Sequence, residues 1–224
     1  MTASILIIGA NGRMGQNLIH AATLQTKKPH IHAFVRNPLS LPPSVASLCY
    51  SVHKGDALCS DDVQAALTAT SATHVVVAVG VPDSNVLSSL RTDSANTITE
   101  AISRSNQTVQ VVVVSSIGAG GTRIKFSFGL GTLFHFMLQH VLTDHDHQEE
   151  RFLRFFENDK ERLLIVRPTQ LTDGYGGDKV ILFDGQQKTP TLKVDRRDVS
   201  VWILGQICGE GDCFGRAVNI TRAL

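Results

Sequence analysis

The chain has 224 residues, a net charge of +1, 18% charged and 42% hydrophobic residues, and a mean hydropathy of +0.05. It is long enough to bury one large core, and its bulk charge gives no argument for binding nucleic acid or an anionic membrane. No apolar run approaches the roughly 18 residues of a membrane span and no basic, then apolar, leader opens the chain, so a cytoplasmic chain is expected.

The apolar run at residues 4–8, rich in Ile and closed by Gly9, predicts a short buried strand. Met14, Leu18, Ile19 and Ala22 then recur at helical spacing and predict a helix over 12–26. Residues 31–35 and 48–53 predict two further strands, followed by a helix over 61–69 with Val63, Ala66 and Leu67 inward. The continuous run from Val75 to Val79 is that of a parallel strand covered on both faces. A long helix is expected over 84–105, with Leu87, Leu90, Ile98 and Ile102 inward, and then a strand over 109–114 ending at Ser115 and Ser116. A glycine-rich loop (Gly118, Gly120, Gly121) leads to an aromatic stretch over 126–137, and a polar, His-rich segment opens a helix over 148–156.

Residues 163–166 predict a sixth strand stopped by Arg167-Pro168. Shorter pieces follow: strands at 180–183 and 191–194, a helix over 199–207 and a last strand at 217–220. This alternation predicts an α/β fold, a doubly wound parallel sheet of Rossmann type with a small C-terminal elaboration. Residues 1–224 are expected to form a single dinucleotide-binding domain, with 171–224 contributing a small lobe on the substrate side. The four cysteines, Cys49, Cys59, Cys208 and Cys213, form no C-x-x-C pair and are expected to be thiols.

Gly9, Gly12 and Gly15 stand between the first strand and the first helix, in the turn Gly9-Ala10-Asn11-Gly12-Arg13-Met14-Gly15. That context is what a dinucleotide turn requires. Gly9 permits the tight turn, Gly12 lets backbone approach a pyrophosphate, and Gly15 lets the helix pack close to the strand. The helix N-terminus offers N–H groups and a positive dipole end. Selectivity between NAD and NADP is set at the end of the second strand, by an acid on the ribose 2′-hydroxyl or an Arg on the 2′-phosphate. No Asp or Glu precedes Asp56, whereas Arg13 lies in the turn and Arg36 at the strand tip. NADP(H) is the expected cofactor.

In order, residues 9–15, Val35-Arg36-Asn37-Pro38, Gly55-Asp56-Ala57, Val79-Gly80, Val113-Val114-Ser115-Ser116, Arg167-Pro168 and Arg197-Asp198-Val199 span nearly the whole chain. With these landmarks the chain resembles the atypical short-chain dehydrogenase/reductases of the NAD(P)-binding, NmrA-like group, and within them the biliverdin reductase B or flavin reductase type. The resemblance implies that Asp56 and Ala57 lie beside the adenine and that Val79 and Gly80 flank the ribose and pyrophosphate. It also implies Ser116 near the nicotinamide, with Pro168, Gln170 and Leu171 passing over that end, and Asp198 anchoring the C-terminal lobe. His145 or His147 matches a histidine that such relatives hold near the cofactor, and His145 is favoured. Ser116 and His145 are thus the candidate catalytic residues.

The Tyr-x-x-x-Lys pair of classical members is missing. The only tyrosines are Tyr50 and Tyr175, and the corresponding helix reads Asp144-His145-Asp146-His147-Gln148-Glu149-Glu150-Arg151. Flavin-reductase-like members also lack the pair, and they pass hydride from NADPH to an acceptor needing little acid catalysis from protein. The expected activity is therefore NADPH-dependent hydride transfer to a small, flat aromatic acceptor such as a flavin, quinone or tetrapyrrole. Any proton would come from solvent or His145. The alternative is a non-enzymatic NADP-binding redox sensor or scaffold acting on a protein partner.

The His-x-His segment with Asp144 and Asp146 lacks a third ligand at convincing spacing, so no metal is expected; Asp144 is a helix N-cap candidate. Val114 and Gly118 flank the serine pair where a nucleophile elbow needs Gly-x-Ser-x-Gly, which argues against a hydrolase. Phe126, Phe128, Phe134, Phe136 and Met137 are either a lid over an apolar acceptor or core packing.

Overall fold

The computed structural model describes residues 2–81, 87–122, 139–185, 189–209 and 211–224. Strands β1 (Ser4–Ile8), β2 (His30–Val35), β3 (Ser51–Lys54), β4 (His74–Val77), β5 (Gln110–Val114) and β6 (Leu163–Pro168) lie in the spatial order 3-2-1-4-5-6, all parallel. This is the doubly wound Rossmann order. Beyond β6 the sheet continues with β10 (Arg216–Arg222), parallel to it, and ends on β8 (Val180–Phe183), antiparallel to β10. Two further strands, β7 (Gln170–Thr172) and β9 (Lys193–Asp195), form a small parallel sheet of their own. Part of the 171–224 segment thus widens the main sheet, and part stands beside it.

The runs are apolar on both faces because both faces are covered. Ile5 and Ile7 share a core with α1 (Arg13–Ala22) and the C-terminal helix Arg196–Ile207, through Leu18, Ile19, Val199 and Ile203. Leu6 and Ile8 point the other way, into a core with α3 (Ser60–Thr70), α4 (Leu90–Ser105) and α5 (Gln139–Phe155), through Leu67, Ile98 and Phe152. Burying each such side chain stabilises by about 1.5–3 kcal/mol before the entropy of ordering it is subtracted. The short α2 (Pro43–Ala46) follows β2, and the C-terminal helix is α6.

Several boundaries differ from expectation for identifiable reasons. Helix α1 stops at Ala22 because the Thr23 hydroxyl and amide both bond the His20 carbonyl, closing the turn. Residues 48–50 belong to the turn after α2, so β3 begins at Ser51. Leu87 is exposed and precedes α4, which begins at Leu90, while Ile98 and Ile102 point inward as expected. Helix α5 already includes Gln139, nine residues earlier in the chain than 148. The aromatic stretch Phe126–Met137, lid or core, lies outside the described residues. No described helix is long and apolar enough to cross a membrane.

Candidate functional site

The turn after β1 is built by what its glycines lack. Gly9 has φ +90°, and a Cβ there would lie 2.6 Å from the Ala78 carbonyl oxygen, just past the end of the neighbouring β4. A Cβ on Gly15 would lie 2.6 Å from Ala10 Cα and closer still to the Gly9 oxygen, so α1 rests directly on the turn. Gly12 caps α1 in an extended conformation with no side-chain hydrogen bond and no acid in the first turn. The first N–H groups of α1 therefore have no side-chain partner, and with the dipole they form an anion seat.

Two cavities meet over the C-terminal ends of the strands, sharing Asn11, Gly12, Ala78, Val79 and Gly80. The first, about 560 Å³, runs outward past Gly9, Arg36, Asp56 and Ala57. Arg36 is exposed, and its guanidinium has no hydrogen-bond or ion-pair partner among the described residues. Asp56 is held in the turn after β3, its amide bonding Asp62 and its carboxylate accepting from Leu58 N at 3.0 Å.

The second cavity, about 400 Å³, runs the other way, past Arg13, Met14, Arg91, Ser115, His145, Leu171 and Arg196. At its rim Arg13 and Arg196 both bond Asp173, at 2.8 and 2.6 Å. Burial alone would raise the Asp173 carboxyl, but Arg196 and then Arg13 hold it below the usual range. Leu171 and Arg196 come from the C-terminal segment, which is tied down by Asp198: its carboxylate accepts from the amides of Gly177, at 2.6 Å, and Asp178.

Behind this cavity lies a buried polar layer carried by α5. Asp144, expected to cap its own helix, instead caps α4: it accepts from Thr92 N at 2.9 Å, Thr92 Oγ1 at 2.7 Å and Arg91 N at 3.2 Å. The same carboxylate pairs with the Arg91 guanidinium at 3.3 Å. One turn on, Glu149 binds Arg167 through Nη2 at 2.5 Å and Nε at 3.0 Å, and accepts from Ser115 Oγ at 2.5 Å. Gln148 is wholly buried beside His145; its side-chain amide favours the protonated ring but makes no well-formed hydrogen bond to any described residue.

His145 is 6% exposed and lines the second cavity, whereas His147 faces solvent. Burial, reinforced by the Arg91 cation and opposed by Asp144, pushes the imidazole down to about 3. It is neutral at physiological pH, so it holds no imidazolium proton to give. The serine assignment also changes: Ser115 lines the cavity, while the Ser116 hydroxyl bonds the Ile117 carbonyl at 3.2 Å. Strand alternation explains this, since Ser115 N still continues the ladder onto Val166 O. Pro168 is buried at the end of β6 and Gln170 is exposed on β7, and neither lines either cavity. Neither tyrosine does; Tyr50 stacks on His30 and Tyr175 is 97% exposed.

The sequence does not single out Arg91, Glu149 or Arg196; it shows Ser115 only as one of a serine pair and Arg167 only as the residue that stops the sixth strand. Arg167 offered a signal: a cation closing an otherwise apolar strand needs a buried partner. Glu149, four residues after His145 on one helix face, is where that partner would lie.

Residues 9–208 match the family model described as NAD(P)H-binding. No curated protein sequence matches the chain. Among solved structures, a short-chain dehydrogenase/reductase (wide type) from Veillonella parvula in complex with NADP is similar, with a TM-score of 0.77, 22% identity and coverage of 99% of this chain and 95% of that one. The anaerobilin reductase ChuY of Escherichia coli O157:H7 is similar with a TM-score of 0.69 and 17% identity, covering 97% and 96% of the two chains. A candidate NADH-flavin reductase from Streptococcus pneumoniae gives 0.69 and 16%, covering 98% and 99%. At these identities the likeness is one of fold.

Proposed function

The chain belongs to the NAD(P)H-binding family, and from that premise we propose that it is an NADPH-dependent reductase passing hydride to a small, flat aromatic acceptor such as a flavin, quinone or tetrapyrrole. The observation that carries this is the pair of joined cavities, one ending at Arg36, whose guanidinium has no partner among the described residues, and the other at a buried Ser–His pair. The residues fit a dinucleotide: any Cβ on Gly9 or Gly15 would collide with backbone, and the N-terminus of α1 has no side-chain cap.

In this reading Gly9, Asn11, Gly12, Arg13, Met14 and Gly15 form the pyrophosphate seat. Arg36 meets the 2′-phosphate, Asp56 and Ala57 bound the adenine, and Val79 and Gly80 line the passage between the two cavities. When bound, reduced nicotinamide supplies a hydride, two electrons and one proton, and the acceptor takes its second proton from solvent. Ser115, His145 and Leu171 bound the second cavity and position the acceptor, with the 171–224 segment on the substrate side; positioning is the chain's main contribution. We place the protein in the cytoplasm on the same reading.

One observation favours a second reading, an NADP-binding redox sensor or scaffold with a protein partner. Among the described residues the second cavity presents no tyrosine, and His145 is neutral. Purified protein with NADPH and a panel of flavins, quinones and tetrapyrroles separates the two. Loss of nicotinamide absorbance supports the reductase; tight NADPH binding with no turnover across the panel overturns it in favour of the sensor.

A further inference from the structure

On the Nδ1 side of His145, at the inner end of the second cavity, the hydrogen-bond donors and acceptors can be counted. Ser115 has one hydroxyl proton and two lone pairs. Its oxygen lies 2.5 Å from Glu149 Oε1 and 3.5 Å from His145 Nδ1. Glu149 is 1% exposed and gripped by the Arg167 guanidinium. A carboxylate in a guanidinium pair only accepts, so the Ser115 proton is committed to Glu149. Toward His145 the Ser115 oxygen is then an acceptor, and the imidazole must bring the proton on Nδ1. The lone pair is left on Nε2, in a side chain that lines the cavity.

We infer that Glu149 is a positioning residue: acting through Ser115, it sets the tautomer of His145, so that the imidazole meets the acceptor pocket as a hydrogen-bond acceptor. Charge decides the direction of the chain of bonds. Turning the Ser115 proton toward His145 would set its oxygen lone pairs against a carboxylate, in a layer from which water is excluded.

A consequence for substrate class rests on the reductase reading above. The acceptor edge that fits His145 carries a ring N–H, as a lactam or pyrrole nitrogen does. An edge bearing only carbonyl oxygens would bring lone pair to lone pair and leave the imidazole unsatisfied.

The test is the tautomer itself, read on the full chain labelled with nitrogen-15 histidine, by long-range nitrogen–proton correlation at neutral pH. The His145 signal is the one lost in His145→Gln. The expected wild-type pattern has the proton on Nδ1. In Ser115→Ala the Glu149–Arg167 pair stays intact but the intermediary is gone, and the Nδ1 preference is expected to be lost. In Glu149→Gln the new amide can donate to Ser115, whose hydroxyl then turns to Nδ1 and shifts the ring proton to Nε2. Should Glu149→Gln fail to fold, Ser115→Ala decides alone. A wild-type proton on Nε2, or a tautomer unmoved by Ser115→Ala, overturns the assignment.

The substrate-class part is read by turnover of riboflavin against its analogue methylated at the ring N–H. Roughly tenfold lower kcat/KM for the analogue is expected, the cost of about one lost hydrogen bond. Equal turnover overturns that part. If neither flavin is reduced, the reductase reading fails there, while the tautomer measurement still decides the role of Glu149.

Discussion

Gly15 and Gly205 both lie inside helices, and the same substitution to Ala should act in opposite directions on them. Gly205 sits in α6, and a Cβ there would meet nothing within 4 Å. Ala should then bring only its helix propensity and a less floppy unfolded chain, about 0.5–1 kcal/mol of stabilisation. For a chain of this size that raises Tm by roughly 1–4 °C. At Gly15 the same gain, up to about 1 kcal/mol, is set against contacts at 2.6 Å with Ala10 Cα and 2.7 Å with Ala10 C. These are backbone atoms of the turn and cannot swing aside as a flexible side chain would. Overpacking of this kind costs about 3 kcal/mol, so the net loss should be about 2 kcal/mol, with Tm lowered by roughly 4–8 °C. Thermal and urea unfolding of the two variants against wild type measures the difference. NADPH titration should in addition show weakened binding for Gly15→Ala alone, because relieving the contact moves the turn. If Gly15→Ala proves as stable as wild type, or Gly205→Ala less stable, the close-approach argument is wrong.

Three further outcomes are expected. Arg36→Ala should weaken NADPH binding by about tenfold or more, the worth of one charge-assisted hydrogen bond near solvent, and leave NADH binding nearly unchanged; equal losses for both would refute the 2′-phosphate role. Asp144→Ala should destabilise by about 3–5 kcal/mol in urea, since it strands the buried Arg91 charge and uncaps α4; a loss under about 1 kcal/mol would contradict the geometry. His145 carries a depressed pKa, about 3 folded against 6.5 unfolded. Below pH 6.5 the unfolded chain therefore binds more protons at this site than the folded chain does. Stability should fall by about 1.4 kcal/mol per pH unit from this group as pH drops from 6.5 toward 3. Urea midpoints measured between pH 6.5 and 4.5 should show a shallower pH slope in His145→Gln, and identical slopes would rule this out.

The sheet was legible where its chemistry is simple. Val75, Val76 and Val77, like Val111, Val112 and Val113, are wholly buried between two helical layers, and such strands read as unbroken apolar runs. The three-residue strands β7 and β9 carry too few residues for any period to show, so the sequence gives no sign of β7 and starts β9 two residues early. The first half of helix α5 is hidden in the sequence for a different reason. Its buried face at Asp144, His145, Gln148 and Glu149 has perfect helical spacing but is polar, so hydropathy cannot register it. Through His145 that same polar face reaches the candidate site. The turn after β1 could be read from its glycines because they stand between a strand and a helix, and backbone contact bars a Cβ at Gly9 and Gly15. Which serine of the pair faces inward could not, since it turns on where the alternation of β5 ends.

The carboxylate of Asp144 also says something about how the chain opens. Ser89, the residue at the head of α4, forms no side-chain cap of its own, and the amides of Arg91 and Thr92 are satisfied from α5 instead. The first turn of one helix is thereby completed only when another, more than fifty positions away in sequence, is docked against it. The two should open and close as one cooperative unit, and slow hydrogen exchange at the amides of Arg91 and Thr92 would time the docking of α5 rather than the fraying of α4.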